Sequence, residues 1–270
     1  MASHQPVDFY SQGVLMSLIK KFFLLSVLFS ASTATIAGVT IAGTRIIFPG
    51  NEREVSVRTN NKGKLPALVQ VWIDDGKANE DINQVKTPFI ITPPVYRVEQ
   101  GKGQSLRLIY TGMALPQDRE SLFWFNLLEI PPVVKSEDKS KNHLDLAFRT
   151  RIKIFWRPAT LEENSVKTFR RLKWAITSDS KKGTGIQITN PTGYYFSFDT
   201  GTFTQNGKKY DMNMDMVAPG ATETWYADNG SAAGGNVTQI SVKLLNDYGS
   251  PVEKMLINQP GKGYVEQQTE

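Results

Sequence analysis

The chain has 270 residues, 40% of them hydrophobic, with a formal net charge of +5, two histidines and no cysteine. That is enough apolar material for one large or two ordinary domains, which excludes a chain disordered throughout, and the mild, scattered positive charge is weak support for nucleic-acid binding. With only His4 and His143 present, a His/Cys zinc site, a Cys-His nucleophile and a Ser-His-Asp triad are excluded unless His143 acts alone.

In chain order, Lys20-Lys21 precede the apolar run Phe22 to Phe29, and small residues follow up to Ala37. This is the charged, apolar, small-residue order of a secretory signal. The run is shorter than the roughly 20 residues of a membrane span, so residues 1–37 are expected to be an N-terminal extension plus a signal cleaved after Ala37, without stable membrane insertion. Met16 is an alternative start, and an N-terminal anchor helix is the competing reading. An exported chain without cysteine has to stand on its cores alone.

From Thr40 onward, short strand-like runs alternate with turn chemistry, and no helical period is present. The runs are Ile41 to Phe48, Glu54 to Thr59, Ala67 to Ile73, Phe89 to Thr92, Leu106 to Tyr110, Leu122 to Ile130 and then His143 to Pro158. That count and spacing predict an immunoglobulin-like sandwich. The last run is longer than the usual 5 or 6 residues. Leu144, Leu146, Phe148, Ile152, Ile154 and Trp156 fall on one face, interrupted only by Thr150, while Arg149, Arg151, Lys153 and Arg157 lie on the other. Periodicity alone assigns that whole apolar face to a core.

After Pro158 the texture changes, so a boundary is expected near residues 157–160, dividing a domain over 38–157 from one over 158–270. A second β series runs from Leu172 to Ile176, Gly185 to Thr189, Tyr194 to Thr204, Lys208 to Tyr210, Thr222 to Tyr226, Thr238 to Leu245 and Pro251 to Ile257. Asn206-Gly207 predicts a type I′ hairpin, Ala227 to Asn236 a loop, and the tail past Gln259 a frayed end. The fold class is therefore all-β.

Candidate chemistry is sparse. Adjacent carboxylates such as Glu162-Glu163 and Asp74-Asp75 point to opposite sides of an extended chain, so they read as turn and linker charges rather than a glycosidase pair. Gly101-Lys102-Gly103 and Gly183-Thr184-Gly185 lack the strand-to-helix setting of a phosphate loop. Asn229-Gly230-Ser231 and Asn236-Val237-Thr238 match a glycosylation pattern common by chance. No catalytic residue, metal or cofactor is assigned, which leaves a binding or scaffold role. One form of it is an exported adhesin or carbohydrate-binding module, with Trp225 and Tyr226 stacking on sugar.

The segment from Leu115 to Pro132, reading LPQDRESLFWFNLLEIPP, resembles the signature of the periplasmic pilus-assembly chaperones of the chaperone-usher family. Thr44-Arg45, Thr92-Pro93-Pro94, the run from Arg151 to Pro158, Asn190-Pro191-Thr192 and Asn246-Asp247-Tyr248-Gly249 are similar to further landmarks in the family's order. The resemblance implies two immunoglobulin-like β-sandwich domains at an angle, with a cleft between them. It implies a non-enzymatic periplasmic protein that caps pilus subunits by donor-strand complementation and passes them to an outer-membrane usher. Leu144, Leu146 and Phe148 match the donor strand, Arg45 and Lys153 the pair that holds the subunit's terminal carboxylate, and Glu120, Arg157 and Asp247 a structural interdomain network. Burying each donor side chain contributes about 1.5 to 3 kcal/mol before ordering costs. The two anchor cations are expected to lack an acidic neighbour, so that an arriving carboxylate relieves their repulsion. The loop Val133 to Asn142 is short and free of cysteine, as in the short-loop branch. Self-association of the free protein through its own exposed strand is left open.

Overall fold

The computed structural model of the protein describes residues 38–77, 86–130, 132, 146–231 and 233–267. The signal-like run, the loop before the long strand, His143 and Leu144 lie outside the described residues.

The first half comprises β1 (Val39–Ile41), β2 (Arg45–Pro49), β3 (Glu54–Asn61), β4 (Ala67–Asp74), β5 (Phe89–Thr92), β6 (Val95–Val98), β7 (Gly103–Tyr110), β8 (Ser121–Ile130) and β9 (Phe148–Arg157). They form a four-stranded sheet, β1-β3-β7-β5, and a five-stranded sheet, β2-β9-β8-β4-β6. Alternation explains the pairing of faces: Val57 of β3, Leu106 and Leu108 of β7, Val69 and Val71 of β4, Phe125 and Leu127 of β8, and Ile154 and Trp156 of β9 bury into one core. Phe89 bridges Phe48 and Phe123 there, with ring centroids 5.2 Å from each.

The run Ile41 to Phe48 is not one strand. Gly43, with φ of 102°, breaks it, so that β1 pairs antiparallel with β3 while β2 crosses to the other sheet and runs parallel to β9. β6 was also hidden, because Thr92-Pro93-Pro94 reads as a stop although a strand begins directly after it and buries Tyr96 and Val98.

The second half contains β10 (Lys173–Asp179), β11 (Gly183–Thr189), β12 (Phe196–Gln205), β13 (Lys208–Met212), β14 (Met216–Val217), β15 (Thr222–Tyr226), β16 (Val237–Leu245), β17 (Pro251–Gln259) and β18 (Gly263–Glu266). One sheet is β10-β11-β15, and the other runs β13-β12-β16-β17-β18, with β14 alongside β12. Ile186, Ile188, Phe196, Phe203, Ile240, Val242 and Leu244 fill its separate core. Asn206 and Gly207 take φ of 51° and 78°, and their turn joins β12 to β13 as a two-residue hairpin.

Two expectations fail in this half. The linker holds a single helical turn, α1 (Ser165–Thr168), capped by Asn164 Oδ1, which accepts from the Lys167 amide at 3.0 Å. A 3-10 turn then seats the fully buried Phe169 in the core. One turn is too short to leave a periodic signature. The tail past Gln259 is not frayed through residue 266: it turns at Gly261 and pairs as β18 with β17, held by Tyr264 Oη donating to the Val237 carbonyl at 2.7 Å.

Candidate functional site

Strand β9 organises the site because its faces and edges serve different neighbours. Ile152, Ile154 and Trp156 enter the core, but Leu146 and Phe148, of the same parity, are 53% and 62% exposed. Leu144 lies outside the described residues. One edge of β9 pairs with β8 along its whole length, from Glu129↔Phe148 to Ser121↔Trp156. The other edge meets β2 only from Lys153 to Arg157, and no described strand pairs with it between Phe148 and Ile152. Exposed apolar side chains therefore sit beside a strand edge that is open among the described residues, the combination that recruits an added strand.

The open stretch of edge ends at two cations. Arg45 and Lys153 are register partners across the parallel β2–β9 pair. The Arg45 guanidinium lies 5.7 Å from the centroid of the Phe155 ring, its Nη1 donates to the Leu245 carbonyl at 3.5 Å, and its buried Nε has no acceptor among the described residues. Burial pulls the Arg45 pKa below its usual value, against the smaller opposing influence of Asp247 and Glu120. Lys153 Nζ sits 5.6 Å from the Trp124 ring centroid and 3.4 Å from Asp215 Oδ1. The expectation of a cation pair without an acidic neighbour is thus wrong. The chain continues from β13 to β14 in one direction along β12, and the link between them brings Asp215 to Lys153 across 62 residues of sequence. A cleft of about 300 Å³ is lined by Arg45, Trp124 and Lys153 from the first half and by Ser197, Asp199 and Asp215 from the second.

Further along the same face of β9, Arg157 engages both halves. Its Nε donates to Glu120 Oε1 at 2.7 Å, and its Nη1 and Nη2 donate to the two Asp247 oxygens at 2.8 Å each. The other Glu120 oxygen accepts from the Tyr195 amide at 2.8 Å. Burial raises the Glu120 pKa above the ordinary glutamate range, although Arg157 and the Tyr195 amide oppose it. Asp247 is aimed by the turn that follows β16, in which Asn246 Oδ1 accepts from the amides of Tyr248 and Ser250. Gly249, with φ of 80°, lies against Thr44, leaving no room for a side chain. The structure thus brings Glu120, Arg157 and Asp247 together.

Phe155, between Lys153 and Arg157, packs on Tyr195 with ring centroids 5.6 Å apart. An aromatic residue in an otherwise charged row is a sequence signal for this contact between the halves. Asp74 goes beyond the expected turn charge: its Oδ1 accepts from the Gly76 amide at 2.8 Å, but it is also a buried carboxylate on β4, reached by the arginines of β9 across β8. It is paired with Arg151 and, at 3.6 Å, with Arg149, and Asn126 Nδ2 donates to it at 2.7 Å. Burial alone would raise its pKa, but the hydrogen bonds from Arg151, Asn126 and the Gly76 amide hold it below the usual carboxylate range. Arg151 also covers the Trp124 ring at 4.2 Å. The Trp225 ring packs edge-on to Phe198 at 6.3 Å, and Lys182 Nζ lies 5.1 Å from the Tyr226 ring, so neither aromatic stands clear as a sugar platform.

Comparison with known proteins gives a consistent result. Residues 38–162 match the family described as "Pili and flagellar-assembly chaperone, PapD N-terminal domain", and residues 167–255 match "Pili assembly chaperone PapD, C-terminal domain". The probable fimbrial chaperone YadV of Escherichia coli K12 is 41% identical over 224 residues, covering 82% of this chain and 90% of YadV. The chaperone protein HifB of Haemophilus influenzae is 40% identical over 241 residues, covering 88% of this chain and 93% of HifB. The crystal structure of the YadV chaperone superposes with a TM-score of 0.67 at 38% identity, covering 81% of this chain and 98% of that one.

Proposed function

The chain belongs to the PapD-type pilus-assembly chaperones, and from that premise we propose that β9 is its donor strand and that Arg45 and Lys153 anchor the terminal carboxylate of a captured pilus subunit. The protein is a chaperone and not an enzyme. An incomplete subunit exposes an apolar groove bordered by unpaired strand edges. Leu144, Leu146 and Phe148 enter that groove while the open edge of β9 satisfies its backbone, the mode established for chaperone–pilin pairs rather than one derived from these residues. The carboxylate sets the starting point, because a strand displaced by one residue presents its wrong face. Residues 38–157 and 158–270 form the two chaperone domains, tied by Glu120, Arg157 and Asp247. Residues 1–37 direct export to the periplasm, where the loaded chaperone meets an outer-membrane usher. The same open edge serves self-association when no subunit is bound.

The observation that carries this reading is the placement of Arg45 and Lys153 as direct register partners where the open apolar edge of β9 ends. The test is periplasmic co-expression with a pilus subunit encoded beside the chaperone, followed by purification. Wild type is expected to co-purify with the subunit in equal amounts, whereas Lys153→Ala folds and elutes alone. Capture by Lys153→Ala at the wild-type level would overturn the assignment, as would a glycan-dependent thermal shift with no protein partner.

A further inference from the structure

We propose that Ser197, on the second half of the molecule, is a third donor to the bound carboxylate. The proposal rests on the reading of Arg45 and Lys153 as the anchor and extends the site to the opposite wall of the cleft. Along the start of β12, Phe196 and Phe198 point into the second core, so the side chain between them faces the other way. Tyr195, of the same parity, already touches Phe155 of β9. Ser197 is one step further along that face and lines the same cleft as Arg45 and Lys153. It is only 4% exposed, yet its Oγ has no hydrogen-bond partner among the described residues.

A buried hydroxyl without a partner is costly and calls for an explanation, of which a bound water, ion or ligand group is one. Ser197 shares its cleft with Arg45, whose buried Nε is a second donor without a partner among the described residues. Asp215 reaches Lys153 but accepts from neither of these orphans, so the resident acid leaves the demand unmet. A carboxylate has two oxygens and about four acceptor positions. One arriving carboxylate therefore has the capacity to engage Lys153 Nζ, Arg45 Nε and the Ser197 hydroxyl together, and being held by both halves it makes occupancy of the anchor a contact between them.

The test uses one synthetic peptide of alternating apolar residues, prepared as the free acid and as the C-terminal amide and titrated calorimetrically into the intact protein. Wild type is expected to prefer the acid. In Ser197→Ala the affinity for the acid falls about tenfold while that for the amide is unchanged. The melting temperature stays level or rises, because an unsatisfied buried hydroxyl has been removed. Ser197→Thr restores the preference for the acid, and Ser197→Val, of the same shape without the hydroxyl, does not. If wild type prefers the acid and Ser197→Ala keeps that preference in full, the anchor stands and the role of Ser197 is refuted. An equal loss for acid and amide, or a lowered melting temperature, also refutes it by marking the residue as structural. If wild type does not distinguish acid from amide, the anchor reading itself falls.

Discussion

Arg157 and Arg45 lie on adjacent strands of one sheet and both reach the second half of the molecule, but they are treated in opposite ways. Every guanidinium nitrogen of Arg157 meets a carboxylate oxygen, whereas Arg45 makes one long bond to a carbonyl and keeps a buried Nε unsatisfied. Each acid beside Arg157 comes from a different half, so the cluster works as a tie. The cleft around Arg45 and Lys153 holds acids too, yet among the described residues none accepts from Arg45 Nε, and a protein tolerates such an unmet donor where something else is to bind. Cationic character alone does not mark a binding site; the balance of donors against acceptors does.

The largest effect expected from testing this contrast is on the saturated side. Arg157→Ala leaves Glu120, which is 3% exposed, buried without its counter-ion, and should cost about 3 kcal/mol of stability, read from urea unfolding. If the loss is below about 1 kcal/mol, the tie is not one. Asp74 is intermediate, with Arg151 and Arg149 on one side and Asn126 on the other. Asp74→Asn should cost about 2 kcal/mol at neutral pH. Because the folded pKa of Asp74 is lowered, its stabilisation is present above the unfolded value near 4 and lost as pH falls through the lower folded value. The stability difference between wild type and Asp74→Asn should therefore shrink as unfolding is measured from pH 6 down to pH 3, and a difference independent of pH would contradict the pairing. The smallest effect belongs to the open side. Asp215 is 85% exposed, so Asp215→Asn should change stability by less than about 0.5 kcal/mol. Freed of its resident acid, Lys153 should bind a free-acid peptide about two- to threefold more tightly, and weaker binding would show that Asp215 assists capture instead of competing with it.

What the sequence made legible follows from the range of the interactions involved. Alternation along β3, β4, β7 and β8, and the Asn206-Gly207 turn, are local and were readable directly. So was the parity of β9, but not the point where its apolar face leaves the core. Phe148 and Ile152 are both apolar, with Thr150 the one polar residue between them on that face; what separates exposed from buried is the coverage supplied by other strands. Arg45, Lys153, Glu120, Arg157 and Asp247 were singled out by family resemblance, since no period or spacing joins residues so far apart. Asp215 and Ser197 were missed for the same reason. They enter the cleft through the pairing of β14 with β12, and a serine between two phenylalanines carries no chemical signature of its own. Asp74 was read only in part, because an acid ahead of Asp75-Gly76 is turn chemistry, as its bond from the Gly76 amide shows, while its pairing with Arg151 depends on strands far apart in sequence.

The crossing of the first strand at Gly43 gives the open edge of β9 a physical terminus. β2 occupies that edge from Lys153 onward, so a guest strand advancing along it meets a wall made of the host's own backbone at Arg45. On the proposed donor-strand reading, a chain that ends there comes to rest with its last residue against the two cations. On that reading, the edge acts as a ruler read from the guest's terminus.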